Sequence, residues 1–309
     1  MNNQLNRRDF LKLGGVALAG AALGPGTIAN AQNSPAAAKR GIKKALMYGS
    51  YPSIKLSLKD KFKLLKDCGF DGVEAMSGMD RKEVLEARDA SGLFIPSVCN
   101  SVHWGKPLSD PDPAVRAAGL EGLKVALQDC KTYGGSSVLL VPAVVSEKVS
   151  YADAYTRSQA EIRKAIPLAE KLGIKIACEN VWNHFLLSPL EAARYVDEFK
   201  SHAVGWHFDV GNIIATGWPE QWIHILGKRI QKLHIKEYSR KKENDEGLWK
   251  GFDVDYLAGD NNWPAVMKAL DDIEYHGWAI AEPAYHPPGL DAEGFLRNVS
   301  EKMGKILVM

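Results

Sequence analysis

Four acid or imidazole side chains each stand at the end of a short apolar run: Glu179 in IKIACEN, Asp209 in VGWHFDVGN, His234 in IQKLHIKEY and Glu282 in GWAIAEPAY. Each run is rich in Val, Ile, Ala or Trp and gives way to a polar or glycine-containing segment. That is the pattern of a buried strand emptying into a loop. Successive members are 30, 25 and 48 residues apart, the length consumed by a strand, a loop and a helix. Parallel strands all point one way, so in a parallel barrel these four side chains converge at the C-terminal rim, where such barrels keep their chemistry. Three carboxylates and one imidazole form a hard, mostly oxygen ligand set, suited to Mn²⁺, Mg²⁺, Co²⁺ or Zn²⁺. Without a cation, two carboxylates about 4 Å apart repel by roughly 4 kcal/mol at an effective dielectric of about 20. A cluster of three therefore needs a metal or shared protons, and we read Glu179, Asp209, His234 and Glu282 as the ligands of one divalent ion.

The elements that must position them alternate steadily. The spacing predicts strands at 45–48, 72–75, 95–99, 137–141, 175–178, 204–208, 231–235 and 278–281, with helices near 58–68, 80–91, 113–133, 151–172, 189–199, 219–227, 263–273 and 291–305. Pro113 and Pro189 fall at helix starts, where proline is tolerated. Gly69, Gly134 and Gly173 follow helices, where a left-handed cap is expected. Eight strand–helix units with no hairpin signal predict an α/β chain folded as a single (β/α)8 TIM barrel over 42–309. The longest connection, 237–262, opens on SRKKENDE, which reads as a solvated loop. Its Trp249, Phe252 and Tyr256 predict a part that docks over the site.

The N-terminal stretch reads as an address. Arg7 and Arg8 precede an apolar, Gly/Ala-rich segment from Leu13 to Leu23, and Ala29 and Ala31 form an A-x-A cleavage signature. Residues 1–31 have the form of a twin-arginine signal peptide, too short in its apolar part to span a bilayer. Residues 32–41 (QNSPAAAKRG) read as a flexible tether. The expectation is a periplasmic or otherwise exported protein, handled by the twin-arginine export machinery. Beyond the signal, 36 basic and 36 acidic residues remain, so the domain has no electrostatic footprint for nucleic acid. The four cysteines, Cys68, Cys99, Cys130 and Cys178, lack C-x-x-C spacing and read as buried structural thiols.

The ENVWN, HFDVGN, LHIKEY and AIAEPAY segments, in that order, resemble the sugar (phosphate) isomerase/epimerase branch of the xylose-isomerase-like TIM-barrel superfamily, including ketose 3-epimerases and hydroxypyruvate isomerase. The resemblance covers 42–307. It implies one divalent metal on Glu179, Asp209, His234 and Glu282, for which Mn²⁺ is our first expectation, with Glu179 and Glu282 also acting as the acid/base pair on opposite faces of the substrate carbon. It implies a small-molecule sugar substrate and allows a homodimer. Where the ketose 3-epimerases carry a substrate-binding histidine three residues after the metal aspartate, this chain has Asn212. Arg240 matches the arginine that contacts substrate hydroxyls in those enzymes.

The residues agree with that chemistry. Removing a proton next to a carbonyl makes an enediolate. One base returning it to the neighbouring carbon gives an isomerase, and two bases on opposite faces give an epimerase. Substrate contacts are expected from Asn212, Lys236, Arg240, His103 and Trp182. Lys236 lies two residues after His234 and so faces the same side, within reach of Glu282. Trp182 offers a face for a sugar to stack on. Glu74, ending strand two, is expected to support the ligands from behind or form a structural salt bridge, and His207 to be a satisfied core histidine. Two other readings share these residues: a lyase that eliminates the glycosidic group from 3-keto glycosides, and a catalytically inactive sugar-binding barrel.

Overall fold

The computed structural model describes residues 40–309; the signal segment and residues 32–39 of the tether lie outside the described residues. In chain order the elements are β1 (Lys43–Met47), α1 (Leu58–Asp67), β2 (Gly72–Met76), α2 (Arg81–Ser91), β3 (Ser97–Cys99), α3 (Pro113–Tyr133), β4 (Ser137–Leu140), α4 (Tyr151–Leu172), β5 (Lys175–Glu179), α5 (Pro189–Asp197), β6 (Val204–Asp209), α6 (Gly211–Ile214), α7 (Pro219–Leu226), β7 (Ile230–Ile235), α8 (Arg240–Glu246), α9 (Trp263–Asp272), β8 (Trp278–Ala281) and α10 (Ala292–Leu307). The eight strands are parallel and close in sequence order, with β1 pairing both β2 and β8.

Local chemistry sets the helix ends. Ser57, Asp80, Asp112, Ser150, Ser188 and Asp291 each accept a backbone N–H of the first helical turn, satisfying donors a helix leaves orphaned. Gly134 and Gly173 end α3 and α4 in the left-handed region, at φ +83° and +68°. Arg40, which composition assigned to the tether, is held on the barrel. Its guanidinium donates to both carboxylate oxygens of Asp271, at 2.7 and 2.8 Å, and to the Leu307 carbonyl at 2.9 Å.

The hydrophobic core lies between sheet and helices. Strand residues such as Leu46, Val73, Val98, Val138, Ile176, Cys178, Phe208, Leu233 and Ala279 belong to it. Their alternating neighbours point into the barrel, and that interior is unusually polar: Glu74, Ser97, Ser137, His207, Asp209, Lys232 and His234 are all buried. The expected solvated run at 240–246 is helical instead. Ser239 caps it by accepting from the Lys242 N–H, and Lys241–Asp245 and Lys242–Glu246 pair across one turn, the spacing that supports short helices.

Candidate metal centre and active site

Glu179 and Asp209 are the last residues of β5 and β6, His234 lies near the end of β7, and Glu282 follows β8 directly. Register places Glu179 beside His207, and Asp209 beside His234. Each of the four ligand candidates offers an atom within 4.8 Å of the others. His234 is the hub: its Nδ1 is 2.8 Å from Glu179 Oε1 and 2.9 Å from Glu282 Oε2. Its other nitrogen, Nε2, is 2.9 Å from Glu74 Oε2 across the barrel, and the Ser97 hydroxyl donates to Glu74 Oε1 at 2.6 Å. A carboxylate behind a ligating imidazole fixes its tautomer and orientation. Glu74 thus directs Nδ1 at the three other carboxylates. Replacing Glu74 by Gln is expected to weaken metal affinity about ten- to hundredfold while turnover at saturating metal changes far less; metal titration with steady-state kinetics checks both.

Asn180, next to Glu179, braces the neighbouring strand end. Its carboxamide oxygen accepts from the Asp209 N–H and from Trp206 Nε1, and its Nδ2 donates to the Asp209 carbonyl at 2.7 Å. Sequence reading singled out the ENVWN segment but not this asparagine. His207 is fully buried as expected but is not satisfied: neither ring nitrogen has a hydrogen-bond partner. Its ring packs edge-on against His234 with centroids 4.2 Å apart, and burial followed by the His234 charge pushes it well below the usual imidazole range.

The carboxylates are driven apart electrostatically. Burial pushes Glu179 up to about 7 and Asp209 up to about 6. Burial opposes ionisation of Glu282 too, but the Lys236 ammonium, 2.8 Å away, and His234 together outweigh it and hold that carboxyl well below the usual range.

The residues fit a divalent cation. Asp209 Oδ2 is buried with no hydrogen bond; the Lys236 ammonium stands 3.0 Å from it, without hydrogen-bond alignment. Three carboxylates and one imidazole nitrogen then converge, with a buried Asp209 oxygen that lacks a hydrogen bond, an arrangement suited to a hard cation. Glu74, His207 and His234 bring ligand atoms together a second time, but with a single carboxylate and with His234 already shared, so the rim cluster carries the stronger field for a cation.

A cavity of about 580 Å³ opens over the centre, lined in part by His103, Trp182, Asn212 and Lys236. His103 Nδ1 accepts the Val141 N–H at 3.1 Å, which leaves the ring proton on Nε2; burial pushes its pKa down to about 4, so it is neutral. Asn212 Nδ2 donates to the Asn180 carbonyl, and Trp182 Nε1 donates to the Asn212 carbonyl. Arg240 lies outside the cavity wall. Its Nε and Nη2 donate to the Ile214 and Gly217 carbonyls, both at 2.8 Å, with Trp218 beneath the guanidinium, so it ties the connection after β7 to the one after β6.

The 237–262 connection does dock over the site. Trp249 and Phe252 line the cavity and lie 4.8 and 5.1 Å from the Trp182 ring. Glu237 anchors its far end, accepting from the Leu257 N–H and Trp263 Nε1. Gly251 passes so close to Tyr238 that an added Cβ would meet the ring at 2.2 Å. Gly251→Ala is therefore expected to push Trp249 and Phe252 off the rim, raising KM severalfold with little change in metal content. An unchanged KM would show that the turn relaxes without moving them.

The family model for xylose isomerase-like TIM barrels matches residues 62–299, and the chain belongs to that family. A twin-arginine translocation signal sequence matches residues 4–24, so the chain carries the address for export by that pathway. In sequence, L-ribulose-5-phosphate 3-epimerase UlaE of Escherichia coli O1:K1 / APEC is 26% identical over 192 residues, which are 58% of this chain and 68% of the relative. In structure, an L-ribulose 3-epimerase superposes with a TM-score of 0.72 at 17% identity, covering 86% of this chain and 94% of the other. The 3-keto-D-glucoside 4-epimerase YcjR of E. coli gives 0.70 at 17% identity, covering 85% and 99%. The relatives are sugar epimerases, which supports an enzyme.

Proposed function

We propose that this protein is a divalent-metal-dependent isomerase or epimerase of an unphosphorylated keto sugar or related hydroxycarbonyl compound, acting after export, in the periplasm. The observation that carries this reading is the convergence of Glu179 and Glu282, from strands three apart in the barrel, on the same nitrogen of His234 at 2.8 and 2.9 Å. Glu179, Asp209, His234 and Glu282 would hold the cation, Mn²⁺ in first place, with Mg²⁺, Co²⁺ or Zn²⁺ as alternatives. When bound, it supplies positive charge to stabilise the oxyanion that develops as a proton leaves the carbon next to a carbonyl.

The side chains divide the remaining work. Glu282, kept ionised by Lys236, is the group ready to accept a proton. Glu179, the second carboxylate at the same His234 nitrogen, is the partner that returns the proton. Delivery to the opposite face inverts the carbon; return to the neighbouring carbon moves the carbonyl. His103, Asn212 and Trp182 line the space a sugar would occupy and supply polar and stacking contacts.

Phosphate is disfavoured. Lys236 is the sole lysine or arginine among the described residues lining the cavity, and it is committed to Asp209 and Glu282. The deciding measurement is NMR of the metal-loaded protein with a panel of ketoses in D₂O. Deuterium entering a carbon beside the carbonyl, with substrate mass otherwise kept, supports the proposal; a bound metal with no exchange from any substrate favours an inactive sugar-binding barrel.

The cavity volume favours one further reading. About 580 Å³ falls in the range of cavities that hold drug-sized ligands, more than one sugar ring fills. With a 3-keto glycoside the same proton removal, at C2, could expel the glycosidic group by elimination, which makes the protein a lyase. A product lighter than the substrate by the aglycone would mark that outcome.

A further inference from the structure

Beside the metal cavity lies a second cavity of about 220 Å³, and the two share Val181, Trp182 and Asn212 in their walls. They adjoin along these three residues. Phe185, Leu186, Ile213 and Trp222 are buried in the second wall, while Leu187 and Leu248 stand 69% and 46% exposed. Several polar groups of this wall are already committed: Asn180 to Asp209 and Trp206, Asn212 to the Asn180 carbonyl, and Trp182 to the Asn212 carbonyl. A sugar ring needs many polar partners, and most of this lining is apolar: Val181, Phe185, Leu186, Leu187, Ile213 and Leu248. A hydrophobic group gains by entering it, since apolar surface leaves water on both sides of the contact.

The chain also strains to shape this wall. His184 and Leu186 sit at φ +58° and +52°, a region costly for residues with a side chain. Asn183 Nδ2 donating to the Ala143 carbonyl and the Tyr151 hydroxyl receiving the Leu186 N–H hold them there, at 2.8 and 2.9 Å. Trp249, on the rim between Leu248 and the Trp182 ring, is 65% exposed. Large apolar side chains are thus presented around an apolar hollow beside the metal site.

We propose that this cavity is a subsite for an apolar aglycone: a ring-sized hydrophobic group joined through the glycosidic oxygen to a keto sugar seated in the metal cavity. The substrates then include glycosides with a hydrophobic aglycone. This rests on the metal cavity being a sugar site.

The test uses phenyl and methyl glucoside as unreacting probes, titrated calorimetrically into the metal-loaded protein and its Leu187→Asp and Leu248→Asp variants. Both leucines are exposed, so the variants keep the fold. Ketose proton exchange in D₂O is measured alongside. The native protein is expected to bind the phenyl glucoside at least tenfold more tightly than the methyl one, with the preference falling toward unity in both variants and ketose exchange unchanged. Equal affinities, failure of both probes to bind, or a preference surviving in both variants would overturn the subsite. If ketose exchange persists in those cases, the sugar reading stands without it. A phenyl preference that the variants abolish, with no exchange from any keto sugar, keeps the apolar subsite and removes the enzymatic reading beneath it.

Discussion

Replacing Glu179 or Glu282 by glutamine is expected to reduce proton exchange and turnover by about a hundredfold to ten-thousandfold, the range contributed by a positioned acid or base. Glutamine keeps the shape of the side chain and removes its ability to carry a proton. The fold should survive, because neither residue belongs to the hydrophobic core between sheet and helices, and removing one charge relieves repulsion among the carboxylates. The two variants should fail differently. Glu282→Gln leaves Lys236 with Asp209 as its remaining carboxylate partner, and it removes the group held ionised. Glu179→Gln removes a carboxylate 2.8 Å from the His234 Nδ1. Metal content measured beside the exchange rate separates the causes: lost exchange with metal retained assigns proton transfer, whereas lost exchange with lost metal assigns ligation. Undiminished exchange in either variant contradicts the acid/base assignment.

Asp209→Asn is expected to lower metal affinity by on the order of a hundredfold, since cation affinity in oxygen-rich sites follows the ligand charge count. Asp209 is fully buried, and its Oδ2 has no hydrogen bond. Its Oδ1 accepts the Asn212 N–H at 2.8 Å, a contact the asparagine carbonyl can keep, so α6 should hold its place. The metal-free variant should therefore melt close to the metal-free parent, with the difference emerging once metal is added. Mass-spectrometric metal content after equilibration with limiting Mn²⁺ reads the effect, and full occupancy would remove Asp209 from the ligand set.

The barrel was legible because its signals are local. Short runs such as IKIA and VGWHF, punctuated by Gly134, Gly173 and the proline-started helices, locate strands and helices without knowledge of their partners; β8 matches the expected 278–281, while β3 begins at Ser97 rather than at 95. The rim cluster was legible for the same reason, since strand ends in a parallel barrel share one edge. What depends on contacts across the barrel was not. Glu74 and His234 are 160 residues apart, and only closure of the sheet brings them together. Arg240 shows the same dependence: its spacing from His234 follows the family pattern, while α8 and the docked connection turn its guanidinium toward backbone carbonyls. The charge-rich 240–246 run could be read as solvated but not as helical, because its i,i+4 pairs gain little until Ser239 caps the turn.

All four cysteines are buried and unpaired, on the end of α1, in β3, in α3 and in β5. Burial raises the pKa of each thiol, which suppresses the thiolate that oxidants and alkylating reagents attack. An exported chain with four reduced thiols meets oxidising surroundings safely for as long as its barrel stays shut. The rate at which a thiol reagent labels this protein is then a clock for the opening of the fold, with sulfur atoms already in place to read four separate regions of it.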